Sequence, residues 1–320
     1  MTSLQLAPPP PDASRPTDEL FSRVVLGIDF GSASLAAARW ATAHVAIGAD
    51  AILSHVVPFP NCLPDADDDG AARNESIRQM RPALVGGLDG FAATLDVADA
   101  RGALRIGSPS RWLSAVANDA DASLVVLGRR ADANRMRVGE ANVIERTARR
   151  TSAAVLVVPE GLVHAPARIV AAVDQSAFAS KVLAVAQRLA RLHEVPLVVL
   201  HVLSPAIGAY ERVIRTARHF LGRGRRMRRE RSDVPSALTA STARWLVKLA
   251  QPHLVLGRDR TAVAIGDPAR EIVATAGSIV GTVVVVGMRG ADDTPPGSLG
   301  SVVRELLTRA PMPVIAVNAV

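Results

Sequence analysis

One stretch of this chain is spaced as a phosphate-binding loop would be: Gly287-Met288-Arg289-Gly290, nine residues, then Gly300-Ser301-Val302. It starts where the apolar run TVVVVG ends and closes where SVVRELLTRA begins, so the pattern predicts strand, loop, then helix N-terminus. Glycines let a backbone approach phosphate oxygens, and a helix N-terminus offers unpaired N–H groups at the positive end of its dipole. The Ser301 hydroxyl adds one more donor. Asp174 ends another apolar run, RIVAAVD, where a carboxylate is placed to reach a ribose hydroxyl or the edge of adenine. Loop glycines serve turns more often than ligands, so the position of this pattern carries more weight than the pattern itself.

Other chemistries are excluded by type and spacing. The only lysines are Lys181 and Lys248, and neither follows a glycine as a Walker A loop requires. No G-x-G-x-x-G follows a strand, and neither G-x-S-x-G nor H-E-x-x-H occurs. His55 and His201 fall inside apolar runs and read as satisfied structural groups rather than ligands. The single cysteine, Cys62, rules out an intramolecular disulfide and a Cys-based zinc site, and fits a reducing cytosol. No catalytic residue and no metal ligand is assigned.

The elements that must position these residues come in two copies. RVVLGIDFGSAS from Arg23 is answered by RIVAAVDQSAFAS from Arg168, and ILSHVVP by VVLHVLSP. LRIGSPSRWLSAVA then pairs with VAIGDPAREIVATA, SLVVLG with TVVVVG, and AAVLVVP with MPVIAVN. Asp29 and Asp174 are 145 residues apart, whereas Gly107 and Gly266, or Gly128 and Gly287, are 159 apart. About 13 residues are thus added to the second copy between its second and third strands. A period near 150 is domain duplication: residues 23–160 and 166–320, behind a Pro-rich tail at 1–22 expected to be disordered. Short β-branched runs alternate with Ala/Leu-rich stretches in each copy. This predicts an α/β chain of two tandem, doubly wound, parallel-sheet (Rossmann-like) domains. Ligands in such sheets bind beyond the strand carboxyl ends, where the strand order reverses. The apolar last strands, around Val155–Val158 and Val314–Val317, are expected to pair edge to edge as an intramolecular pseudo-dimer, since each would otherwise be left open.

Taken together, Asp174-Gln175-Ser176, the Leu200-His201-Val202 run, Gly266-Asp267-Pro268 and G-x2-G-x9-G-S resemble the universal stress proteins. The resemblance covers both copies and leaves out only the tail and an Arg-rich insert. It implies five-stranded domains, pairing through the last strand, a regulatory stress role, and ATP binding in the subgroup carrying the glycine pattern. Carried over, Asp174 and Val202 would hold adenine and ribose. Gly287, Met288, Arg289, Gly290, Gly300, Ser301 and Val302 would line the phosphates.

The first copy departs from that pattern. Gly128 is followed by Arg129-Arg130-Ala131, and counting on places Ala141-Asn142 where Gly-Ser should stand, with Gly139 two positions early. A methyl group obstructs backbone approach and disfavours positive φ, so the first half is expected to be structural and to bind nothing, although Arg129 and Arg130 would attract phosphate by charge.

Charge is concentrated rather than general. Nine arginines and one acid between Arg212 and Arg231 carry +8, against +7 for the whole chain, so everything else sums to −1. With aromatics at 3%, that patch lacks the rings of a base-stacking surface. It is read as a solvated insert or a weak site for an anionic partner, its nucleic-acid retention falling steeply with salt. The longest uncharged run, Ile272–Met288, reads as helix end, turn and buried strand rather than a membrane span. The expectation is therefore a cytoplasmic regulator that binds one ATP per chain, with or without Mg²⁺, and acts through conformation and an unknown protein partner. A further homodimer stays open. The alternatives are a slow Mg²⁺-dependent ATPase using Asp292 or Asp293, or a nucleotide-free interaction protein using the Arg-rich insert.

Overall fold

The computed structural model describes residues 20–58, 70–130, 138–204, 236–289 and 298–318. The Arg-rich insert at 212–231, most of the N-terminal tail, Gly290, and the acidic pair Asp292 and Asp293 lie outside them.

The first copy runs β1 (Arg23–Gly27), α1 (Ser32–His44), β2 (Asp50–Pro58), α2 (Gly70–Ala92), β3 (Asp99–Gly107), α3 (Pro109–Asp119), β4 (Leu124–Arg129), α4 (Val138–Arg150) and β5 (Ala154–Pro159). The second repeats the order: β6 (Arg168–Ala172), α5 (Ala179–Leu192), β7 (Leu197–Leu203), α6 (Ser236–Ala250), β8 (Arg260–Ile265), α7 (Pro268–Gly277), β9 (Thr282–Gly287), α8 (Ser301–Arg309) and β10 (Val314–Val317). The runs rich in Val, Ile and Leu are the central strands, buried on both faces as parallel strands under crossover helices must be. Pro109 and Pro268 stand at the first position of α3 and α7, where a missing N–H costs nothing. Each is preceded by a glycine at positive φ, Gly107 (130°) and Gly266 (157°), which lets the chain turn from strand into helix. The uncharged run from Ile272 is the end of α7, a turn and β9, and no described helix is long and apolar enough to cross a membrane.

The strands form one ten-stranded sheet in the order β3-β2-β1-β4-β5-β10-β9-β6-β7-β8. All neighbours are parallel except β5 and β10, which meet antiparallel with Leu156 opposite Ile315, so the two terminal edges cover each other as expected. Those two residues are 159 apart, the repeat offset, so the pseudo-twofold axis passes between them. Side chains alternate into two cores that run through both domains. Leu156 and Ile315 face the side of α1, α2, α5 and α6, while Val155, Val157, Val314 and Ala316 face that of α3, α4, α7 and α8. On the latter side Arg304 of α8 pairs with Glu145 of α4 at 3.1 Å, again positions 159 apart. Asn318 Nδ2 donates to the Thr151 carbonyl at 2.8 Å, just past α4.

Candidate functional site

β6 and β9 lie side by side with Ala172 opposite Val286, and their onward connections diverge: β6 leads through α5 to β7, β9 through α8 to β10. Their carboxyl ends are thus the point where strand order reverses, the place such sheets offer a ligand. Asp174 stands two residues past β6, half-buried. Its Oδ1 accepts the Ser176 backbone N–H at 3.1 Å and the Ser176 hydroxyl at 2.5 Å. Helix α5 begins only at Ala179, five residues after Asp174, and its N-cap Phe178 makes no side-chain capping bond. Val202 lies in β7 opposite Ala264, half-buried at the same end of the sheet.

Gly287 ends β9. The next residue, Met288, is buried, its N–H donating to the Val317 carbonyl at 2.8 Å and its carbonyl accepting the Gly300 N–H at 3.3 Å. Met288 thus ties the loop to β10 at one end and to the start of α8 at the other. Arg289, half-buried, follows it. Gly300 is the N-cap of α8, with no side-chain capping bond and no acid in the first turn. Ser301 is exposed there and Val302 packs against the core. An N-terminus with no side-chain cap and no acid in its own first turn suits an anion. Of the two glycines expected at positive φ, Gly290 lies outside the described residues and Gly300 lies at −58°; Gly287 is not at positive φ either. At Gly287 and Gly300 the case for glycine rests on close approach alone. A Cβ on Gly287 would stand 3.3 Å from the Arg289 carbonyl oxygen, inside the loop itself.

Comparison with known proteins agrees with this architecture. The universal stress protein family model matches twice, at residues 20–159 and 167–318. The chain belongs to the universal stress protein family. A universal stress protein from Archaeoglobus fulgidus superposes with a TM-score of 0.62 at 15% identity, covering 94% of this chain and 97% of that one. A protein assigned to the same family, from Pseudomonas aeruginosa, superposes with a TM-score of 0.56 at 13% identity, over 93% of each chain. At such identities the likeness speaks for the fold. No curated protein sequence matches the chain.

The corresponding strand ends in the first universal stress domain are built differently. Helix α1 starts at Ser32, three residues after Asp29, and Asp29 Oδ1 is taken by the Gly31 N–H at 2.8 Å and the Ser34 hydroxyl at 2.5 Å. The helix backbone lies directly on Gly128: a Cβ there would meet the Ala33 carbonyl oxygen at 2.3 Å. Glu160, just past β5, accepts the Ser32 hydroxyl, setting a carboxylate beside the N-terminus of α1. Helix α4 already begins at Val138, so Ala141 and Asn142 fall within it and not at its start. Arg129, weighed above as a phosphate attractor, is turned away from the site. It is 4% exposed, its Nη2 donates to the Ala310 carbonyl of the second domain, and burial disfavours its charged form.

Sequence reasoning missed the groups that decide this difference. Phe30 has a φ of +61° and lays its ring 4.9 Å from that of His55, over Gly87 of α2. In the second domain the ring on His201 is that of Trp245, from α6, at 5.2 Å. Both histidines are the satisfied structural groups expected, His55 Nδ1 lying 2.7 Å from the Ile28 carbonyl and His201 Nδ1 2.8 Å from that of Val173. Leu88 and Leu246, 158 apart, are equivalent fully buried residues of α2 and α6, which puts Gly87 and Trp245 at one position. Phe30 likewise corresponds to Gln175, which is exposed. The signal was a pair of compensating differences between the copies, hidden by the insert that shifts their register.

Proposed function

We propose that this chain is a cytoplasmic stress-response regulator that binds one ATP, in its second domain, and acts through conformation and partner binding rather than turnover. The reading rests on the contrast at the strand ends. In the second domain the space beside Gly287 meets no backbone of α5, and α8 presents an N-terminus without a side-chain cap. In the first domain, α1 and Glu160 occupy the equivalent place. Asp174 and Val202 would hold adenine and ribose, with Ser176 orienting the Asp174 carboxylate. Gly287, Arg289, Gly290, Gly300, Ser301 and Val302 would receive the phosphates, Met288 holding their loop in place. The nucleotide supplies charge and shape to this site, and nothing in the reading requires that it be cleaved. A single cysteine in 320 residues agrees with a reducing compartment.

Calorimetry with ATP tests this. One site per chain is expected, lost in Gly290→Ala with Gly300→Ala, which copies the first half's residues into the second. Two losses of about 1 kcal/mol each correspond to more than tenfold in affinity. Two equal sites, or unchanged affinity in the double variant, would refute the reading. Phosphate release on adding Mg²⁺ would favour the slow ATPase instead.

A further inference from the structure

We infer that the first domain serves as a brace for α8, with Arg129 and Glu145 as positioning residues for the nucleotide site of the other domain. This rests on the reading above and adds how that site is regulated. Helix α8 opens the candidate site with Gly300 and Ser301, and its other end is held from outside its own domain. Ala310, its C-cap, offers a carbonyl that no helical N–H can reach, and the buried Arg129 guanidinium supplies the donor. A cation at a helix C-terminus is also favoured by the helix dipole. Midway along α8, Arg304 pairs with Glu145 at 3.1 Å.

These contacts are not repeated by the pseudo-twofold axis. Arg129 corresponds to Met288, and Glu145 to Arg304 itself. The carbonyl equivalent to that of Ala310 is that of Thr151, satisfied by Asn318. The first domain thus carries a buried charge aimed at α8, while the second has an apolar thioether in the same place. Burying a guanidinium is costly, and Nε of Arg129 has no partner among the described residues, so the residue is not explained by packing economy. Arg129 also links the closed first site to α8: its own carbonyl accepts the Glu160 N–H at 2.7 Å, and Glu160 holds the N-terminus of α1. What orders the N-terminal turn of α8 is therefore coupled to the seam between the domains. Coupling of this kind is reciprocal.

Full-length Arg129→Met tests the brace, methionine being the residue that the second domain already accommodates there. ATP affinity should fall several-fold, with a partial return in Arg129→Lys, which restores a donor to the Ala310 carbonyl. Glu145→Gln should act in the same direction but less. In the wild type, ATP should slow hydrogen exchange not only at 300–304 but across the seam, at 155–159 and 310–317. Wild-type affinity in Arg129→Met, or protection confined to the loop and the first turn of α8, would overturn the brace while leaving the nucleotide reading intact. Absence of ATP binding by the wild type would overturn both.

Discussion

Each domain sets an aromatic ring against the buried histidine of its second strand, but the two rings come from different elements. In the first domain the ring belongs to Phe30, in the loop leaving β1; in the second, to Trp245, on a helix. That exchange accounts for the rest of the contrast. Holding Phe30 down at a φ of +61° costs on the order of 1–2 kcal/mol, offset by the ring's packing on His55 and Gly87. It draws the loop across the strand end, so α1 can start within three residues of Asp29 and settle on Gly128. With Trp245 doing this work from α6, the loop after β6 carries exposed Gln175 and reaches its helix only at Ala179. The difference between the two strand ends is thus a matter of who supplies one ring, as much as of missing glycines.

The largest effect is expected where the matching glycines of β4 and β9, Gly128 and Gly287, are given a methyl group. At Gly128 the new Cβ would stand 2.3 Å from the Ala33 carbonyl oxygen and 2.6 Å from the Ser34 nitrogen, and backbone cannot rotate away. Gly128→Ala should cost roughly 2–3 kcal/mol, the range of an overpacked core. Gly287→Ala meets Arg289 O at 3.3 Å and Val182 Cγ2 at 3.6 Å, contacts that small shifts relieve. It should cost under about 1 kcal/mol and register instead in ATP affinity. Thermal unfolding of the two variants side by side decides this, and equal losses of stability would break the comparison.

A subtler test transplants the second domain's arrangement into the first. Phe30→Gln removes the ring and Gly87→Trp supplies it from α2, as Trp245 does from α6. Alone, Phe30→Gln leaves His55 uncovered, and Gly87→Trp collides with Phe30, whose Cε1 lies 3.2 Å from a Cβ at that position. Together they should recover stability, a coupling of about 1 kcal/mol or more in a double-mutant cycle. Hydrogen exchange at the start of α1 should also quicken, since the ring of residue 30 no longer ties down the loop. Strict additivity of the two changes would show that the ring's origin does not govern the loop.

The duplication, the parallel domains and the antiparallel seam were legible in the sequence because each rests on periodic apolar runs: Val155–Val158 and Val314–Val317 read as strands that need covering. The reversal point was legible too, since Asp174 and Gly287 each close such a run. What could not be read were relations between residues distant in the chain. Arg129 looks like a loop cation until Ala310, 181 positions on, proves to be its partner. Phe30 gives no sign of positive φ, because the rule it breaks is steric and its compensation lies at Gly87. The sequence pattern also suggests a strained glycine at 300, whereas its φ of −58° is one that any residue adopts.

On the opposite face of the sheet the domains meet on more equal terms, and there the expected effect is smallest. His44 ends α1 and His193 follows α5; their rings are 5.8 Å apart, and His193 Nε2 lies 2.6 Å from the His44 carbonyl. The rings of Trp40 and His44 meet in a T-shaped arrangement with centroids 5.4 Å apart, and the Trp40 Nε1–H holds the linker through the His164 carbonyl at 2.9 Å. Burial first, and the neighbouring His193 second, lower the pKa of His44 from its ordinary 6.5. The folded chain therefore binds this proton less readily than the unfolded one, so stability rises with pH across the window. The contribution is complete above about pH 6.5 and is lost as pH falls below it towards the folded value. His253, lowered by burial and by Arg191, acts with the same sign, so the informative quantity is a difference between proteins. The midpoint of thermal unfolding should drop more for the wild type than for His44→Gln between pH 7.5 and 5. That excess should vanish if the histidines are already apart, as in a variant whose seam has been loosened at Arg129. Parallel curves for wild type and His44→Gln would remove this histidine pair from the seam's energetics. A wild type that gains on acidification relative to His44→Gln would mean the seam prefers the charged ring, reversing the sign argued here.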